Sequence, residues 1–149
     1  MLNKGDKIPD ITLQDQDGRS VSLTEFKDQP LVVYFYPKNN TKVCTAQACG
    51  FRDQYEAFQE EGAEVVGISQ DSVESHRKVA NSRKLPFILL SDPKRKALKG
   101  FKVPSALFGL IPGRVTFVID KEGKVAHTFR SDFNADKHIK EALKVIKKL

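Results

Sequence analysis

Short apolar runs alternate with amphipathic stretches along all 149 residues. "ITLQDQDGRSVSL" (11–23) alternates apolar and polar positions on both sides of Asp17-Gly18, which predicts a hairpin. "LVVYFYP" (31–37) is a continuous apolar run ended by Pro37, the pattern of a strand buried on both faces. A helical pattern runs from about Thr41 to Gln59, where Phe51, Tyr55 and Phe58 form one apolar stripe, and Gly62 closes it. "AEVVGISQD" (63–71) reads as a second buried strand. "SVESHRKVANSRKL" (72–85) reads as an amphipathic helix with Ser72 as N-cap. "PFILLSD" (86–92) is a strand and "PKRKALKGF" (93–101) a short helix. "GRVTFVID" (113–120) and "KVAHTFR" (124–130) are strands joined across Lys121-Glu122-Gly123. "NADKHIKEALKVIKKL" (134–149) closes the chain as a helix with Ile139, Leu143 and Ile146 on one face.

The order is a hairpin, then strand–helix–strand–helix–strand, then a hairpin and a helix. Such alternation implies an α/β domain whose central sheet is largely parallel, covered by helices, and made mixed by the hairpin strands. The outline resembles a thioredoxin-like fold with an N-terminal β-hairpin addition. Residues 1–149 read as a single domain. No run of about 18 apolar residues is present, so a transmembrane helix is not expected. The opening "MLNKGDKIPDITLQ" is polar almost at once, unlike a secretory signal or transit peptide, and predicts a cytoplasmic protein. The formal net charge is +6, spread along the chain with modest clusters at Lys94-Arg95-Lys96 and Lys144 to Lys148. No nucleic-acid motif accompanies it, so it reads as a solvated Lys-rich face rather than a nucleic-acid or membrane surface.

The chemistry concentrates in "NNTKVCTAQACGFRD" (39–53), which holds both cysteines of the chain, Cys44 and Cys49. Thr41 is a suitable N-cap, which puts Cys44 at the third helical position. Backbone N–H groups in a first turn lack helical acceptors and the helix dipole is positive there, so the position favours an anion such as a thiolate. Cys49 lies five positions on. In an ideal helix that separates the Cα atoms by about 8.7 Å, whereas a disulfide needs less than about 7 Å. Either the two are ordinary cysteines, or they pair only when the helix opens. Two thiols without further ligands do not make a closed metal site. His76, His127 and His138 are scattered and read as surface residues. Nothing marks the paired histidine of a Cys–His hydrolase.

"YPKNNTKVCTAQACGFRD" (36–53) resembles the active-site segment of peroxiredoxins, Pro-x-x-x-Thr-x-x-Cys, here Pro37, Thr41 and Cys44. A second cysteine five positions later, followed by Phe51-Arg52-Asp53, is similar to the Q-type (bacterioferritin comigratory protein) group. So is "LFGLIPGRVTFVIDKEG" (107–123), which supplies Arg114. The resemblance covers essentially the whole chain. Family members commonly carry Pro-Gly before the active cysteine, where this chain has Lys42-Val43.

The resemblance implies a thiol peroxidase without metal, haem, flavin or other cofactor. Cys44 would be the peroxidatic cysteine and Cys49 the resolving cysteine, closing an intramolecular disulfide that a thioredoxin- or glutaredoxin-like reductant reopens. Thr41 and Arg114 would hold the peroxide and the thiolate, and Pro37 would shield the sulfenic acid. The implied protein is a monomer. Plainer roles compete: Thr41 as a cap alone, Arg114 as a surface strand residue, Pro37 as a strand terminator. Rival functions are a thiol–disulfide oxidoreductase on the same fold, and a redox-sensing interaction protein without turnover. Against the oxidoreductase, such proteins usually carry Cys-x-x-Cys.

Overall fold

The computed structural model describes residues 1–26, 28–39, 41–106, 111–132 and 134–149. Its strands are β1 (Thr12–Gln14), β2 (Ser20–Ser22), β3 (Leu31–Phe35), β4 (Glu64–Ser69), β5 (Ile88–Ser91), β6 (Ser105–Ala106), β7 (Ile111–Pro112), β8 (Val115–Ile119) and β9 (Val125–Arg130). Its helices are α1 (Lys42–Asp53), α2 (Tyr55–Glu60), α3 (Val73–Arg83), α4 (Lys96–Gly100) and α5 (Ala135–Ile146), with a 3-10 turn at Leu23–Phe26. The mixed α/β architecture expected from the sequence is present. Seven strands form one sheet in the order β2-β1-β5-β4-β3-β8-β9, and β6 pairs with β7 apart from it. β3, β4 and β5 run parallel, while β8 and β9 continue the sheet antiparallel beyond β3. The N-terminal hairpin docks on β5 through Gln14 opposite Ser91.

β3 is apolar throughout because both of its faces are covered. Leu31, Val33 and Phe35 enter one core with Leu23, Leu98, Phe101 and Phe117. Val32, Tyr34 and Tyr36 enter the other with Cys44, Phe51, Phe58 and Ile139. The period-two alternation of a strand thus feeds two apolar layers. The predicted helix over 41–59 is two helices. Gln54 breaks it with ψ of 5°, far from the helical value, while Gln54 N–H still donates to the Gly50 carbonyl at 3.2 Å and Phe58 N–H to the Gln54 carbonyl at 3.2 Å. The stripe survives the break, since Phe51 and Phe58 are fully buried with ring centroids 5.8 Å apart.

Strand register brings the chemistry together. Phe35, the last residue of β3, pairs with Val115, the first of β8, and Val115 pairs with Arg130, the last of β9. Arg114 and the 131–132 turn therefore lie at the sheet edge from which the chain leaves β3 for α1. In open α/β sheets ligands gather at this carboxyl end of the parallel strands.

Candidate active site

Thr41 caps α1 as the sequence predicts. Its backbone is extended and its Oγ1 accepts the Cys44 N–H at 3.3 Å, which sets Cys44 as the third residue of the helix. The Thr41 carbonyl accepts the Thr45 N–H at 2.9 Å, so the first turn is closed from both groups of the cap residue. As a donor among the described residues, the Thr41 hydroxyl reaches the Lys38 carbonyl at 3.5 Å, a weak contact.

Cys44 is a buried free thiol, and Arg114 Nη2 donates to its Sγ at 3.2 Å. Arg114 is also buried, with 9% of its surface exposed, which rules out the surface-strand alternative. Its position is fixed by the 131–132 turn. Arg114 N–H donates to Asp132 Oδ1 at 3.2 Å and Nη1 donates to the Asp132 carbonyl, while Ser131 N–H returns a bond to the Arg114 carbonyl at 3.3 Å. Asp132 also pairs with Arg130 at 3.6 Å. Cys49, half-buried on the same intact helix, is free as well. Pro37 is half-buried directly after the end of β3, at the start of the connection to α1. Of the 107–123 stretch, residues 107–110 lie outside the described residues.

Two histidines are not where the sequence put them. His76 and His138 are fully buried rather than at the surface. His76 Nε2 lies 3.0 Å from the Leu90 carbonyl, which can only accept, so Nδ1 accepts from Asn39 Nδ2 at 2.9 Å. Asn39 in turn takes the Tyr36 hydroxyl on Oδ1 at 2.8 Å and gives its N–H to Asp71 Oδ2 at 2.8 Å. This network ties the β3–α1 connection to α3. Burial pushes the His76 imidazole below its ordinary value, against the opposing pull of Asp71. It also holds the Tyr34 phenol well above the ordinary range, Tyr36 and both cysteines adding to the effect. Gln47, one turn after Cys44, is fully buried, and among the described residues neither end of its amide nor Arg114 Nε has a hydrogen-bond partner. Among the described residues no cluster of His, Cys, Asp and Glu could hold a metal ion.

A capped helix start that presents a buried cysteine to a buried, anchored guanidinium is a device for stabilising a thiolate and negative charge developing beside it. The sequence model of the AhpC/TSA family matches residues 4–128. The chain belongs to the AhpC/TSA family.

Among curated proteins it is 54% identical to the chloroplastic peroxiredoxin Q of Sedum lineare over 99% of this chain and 80% of that protein. Among solved structures it superimposes on the peroxidoxin BcpB of Mycobacterium tuberculosis with a TM-score of 0.92 at 36% identity, covering 100% of this chain and 99% of that one. A bacterioferritin comigratory protein of Xanthomonas campestris, whose structures concern alkyl peroxide reduction, matches with a TM-score of 0.89 at 26% identity over 98% of both chains. The thioredoxin-like peroxiredoxin fold expected from the element order therefore holds, and the chain has the thiol peroxidase function of this family. One expectation is corrected. The plant relatives are chloroplastic peroxiredoxins Q, which contradicts the cytoplasmic compartment read from the polar opening. A polar opening stretch therefore does not decide the compartment.

Proposed function

We propose that the protein reduces hydrogen peroxide and organic hydroperoxides through a Cys44 sulfenic acid, which Cys49 resolves as an intramolecular disulfide. The observation that carries this reading is the Arg114 Nη2 to Cys44 Sγ contact of 3.2 Å in the first turn of a capped helix. The Cys44 thiolate attacks the terminal peroxide oxygen. The S–O bond forms as the O–O bond breaks, the sulfur loses two electrons, and the leaving oxygen departs as water or alcohol after taking a proton. Arg114 and the weakly engaged Thr41 hydroxyl are the donors for the charge that moves onto that leaving oxygen. Pro37 screens the sulfenic acid from further oxidation.

Resolution then requires a change of shape. Both cysteines sit on intact α1, and a five-residue helical separation of about 8.7 Å exceeds disulfide reach. The first turns of α1 must unwind, releasing the Thr41 cap and the Arg114 contact. The end of α1 is held meanwhile by Phe51, stacked on Tyr34 at 4.7 Å, and by Arg52 Nη1 donating to the Arg83 carbonyl at 2.8 Å. The Cys49 thiolate displaces the sulfenic oxygen, which leaves with a proton as water. A thioredoxin- or glutaredoxin-like dithiol restores both thiols, and a resolving cysteine in the same chain makes a monomer sufficient for the cycle.

Turnover with a thioredoxin and its reductase tests the proposal on wild type, Cys44→Ser and Cys49→Ser. The wild type consumes peroxide catalytically, Cys44→Ser does not, and Cys49→Ser stalls after one equivalent. Peroxide consumption by Cys44→Ser at the wild-type rate would assign the chemistry elsewhere. Exchange with protein disulfides but no peroxide consumption would favour an oxidoreductase.

A further inference from the structure

The guanidinium that touches the sulfur is only as well placed as the turn that holds it. Arg114 takes three bonds with the 131–132 turn: its N–H to Asp132 Oδ1, its Nη1 to the Asp132 carbonyl, and its own carbonyl from Ser131 N–H. This turn links β9 to α5, and an irregular link of that kind has no ladder to hold it. What holds it from the far side is His138. Its Nε2 lies 2.7 Å from the Ser131 carbonyl and its Nδ1 lies 2.8 Å from Thr116 Oγ1. A carbonyl only accepts, so Nε2 carries the proton and Nδ1 accepts from the Thr116 hydroxyl. His138 thus bridges the turn to β8, two residues beyond Arg114, and closes a ring of bonds around the site.

The His138 ring meets Phe129 edge-on with centroids 5.0 Å apart, a contact any ring could make. His138 is fully buried on the apolar face of α5, between Ala135 and Ala142, and Thr116 is 1% exposed on β8. A buried imidazole costs desolvation unless both nitrogens are satisfied, and here both are. Burial pushes its titration below the ordinary histidine range and the Arg114 guanidinium adds to this, against the opposing pull of the Ser131 bond and Asp132, which leaves the ring neutral near pH 7.

We infer that His138 is a positioning residue for the peroxidase reaction: by clamping the Ser131 carbonyl to Thr116 it fixes the turn that aims Arg114 at Cys44. This rests on Cys44 being the peroxidatic cysteine. Its path to the sulfur runs through the Ser131–Asp132 turn and Arg114.

The test is a double-mutant cycle on the second-order rate of Cys44 oxidation by hydrogen peroxide, using the full chain. His138→Leu fills the site but leaves the Ser131 carbonyl unclamped, and is expected to slow oxidation about tenfold. His138→Gln, which keeps an N–H within reach of Ser131, restores most of the rate. Thr116→Val removes only the other end of the clamp and moves the rate the same way by a smaller factor, which serves where His138→Leu does not fold. In an Arg114→Ala background none of these changes slows the reaction further. A purely structural role lowers the unfolding midpoint and leaves the rate below that midpoint unmoved, which overturns the inference. So does a loss of equal size in both backgrounds. If Arg114→Ala itself leaves this rate unchanged, or Cys44→Ser still consumes peroxide at the wild-type rate, it is the assignment of the site that fails, and His138 falls with it.

Discussion

Replacing Arg114 by Ala separates two explanations for the peroxidatic reactivity proposed for Cys44. In the first, Arg114 only raises the thiolate fraction. In the second, it also stabilises charge moving onto the leaving oxygen. For any thiol, a tenfold gain in thiolate is offset about threefold by lost nucleophilicity, because the Brønsted slope is about 0.4–0.5. The first explanation thus allows only about a threefold loss per tenfold change in thiolate near pH 7. At high pH, where the mutant is fully ionised, it predicts a rate equal to wild type or slightly higher. The structure argues for the second. Arg114 is 9% exposed, its Nη2 is 3.2 Å from Sγ, and its other arm is pinned by the Asp132 carbonyl. A buried, preorganised donor to a charged group is worth about 1.5–3 kcal/mol, or roughly 10- to 150-fold in rate. The assay is rapid quenching with an alkylating agent after mixing reduced protein with hydrogen peroxide, from pH 5 to 10, and fitting the limiting rate at high pH. A limiting rate for Arg114→Ala at least tenfold below wild type is expected. Limiting rates within threefold of each other would refute the argument.

Other outcomes follow from the same geometry. Val43 is half-buried at the second position of α1, and Val43→Gly weakens the helix start by about 0.5 kcal/mol, which should speed disulfide closure about twofold while leaving sulfenic acid formation unchanged; equal closure rates would show that unwinding does not limit resolution. Gln47→Met removes one buried amide whose two polar atoms lack partners among the described residues and should raise the urea midpoint by the equivalent of about 1–3 kcal/mol, whereas a lower midpoint would mean that the amide is bonded in solution. Burial holds the His76 and His138 titrations below the unfolded value of 6.5, so the unfolded chain binds more protons below that pH. Their contribution to stability is full above about pH 6.5 and is lost as pH falls toward the depressed folded values. The urea midpoint should therefore drop between pH 7 and 5, and a flat or rising midpoint would contradict buried neutral histidines.

The parts of this molecule with a local signature could be read from the chain. Thr41 caps, Cys44 follows three residues later, and both facts are local backbone chemistry. The apolar runs of β3 and β8 announce buried strands because every position is covered. Arg114 came only from the family resemblance, since nothing near it in sequence shows that register places it over Cys44. Asp132 and His138 were missed because they act through bonds spanning 18 and 22 residues, which leave no periodic trace. A weaker signal existed for the histidines. His138 stands four residues before Ala142 and His76 four before Ala80, on the buried stripes of their helices. The break at Gln54 is invisible to periodicity because the stripe passes through it.

The measurement that bears most directly on the account is the intact mass of reduced protein after one equivalent of hydrogen peroxide, for wild type and Cys49→Ser. The account predicts a fast loss of about 2 Da in wild type, as the two thiols become a disulfide, and a gain of about 16 Da in Cys49→Ser, where the sulfenic acid has no resolving partner. Masses unchanged after minutes in both proteins would contradict it, and would make Cys44 a buried thiol rather than a peroxidatic one.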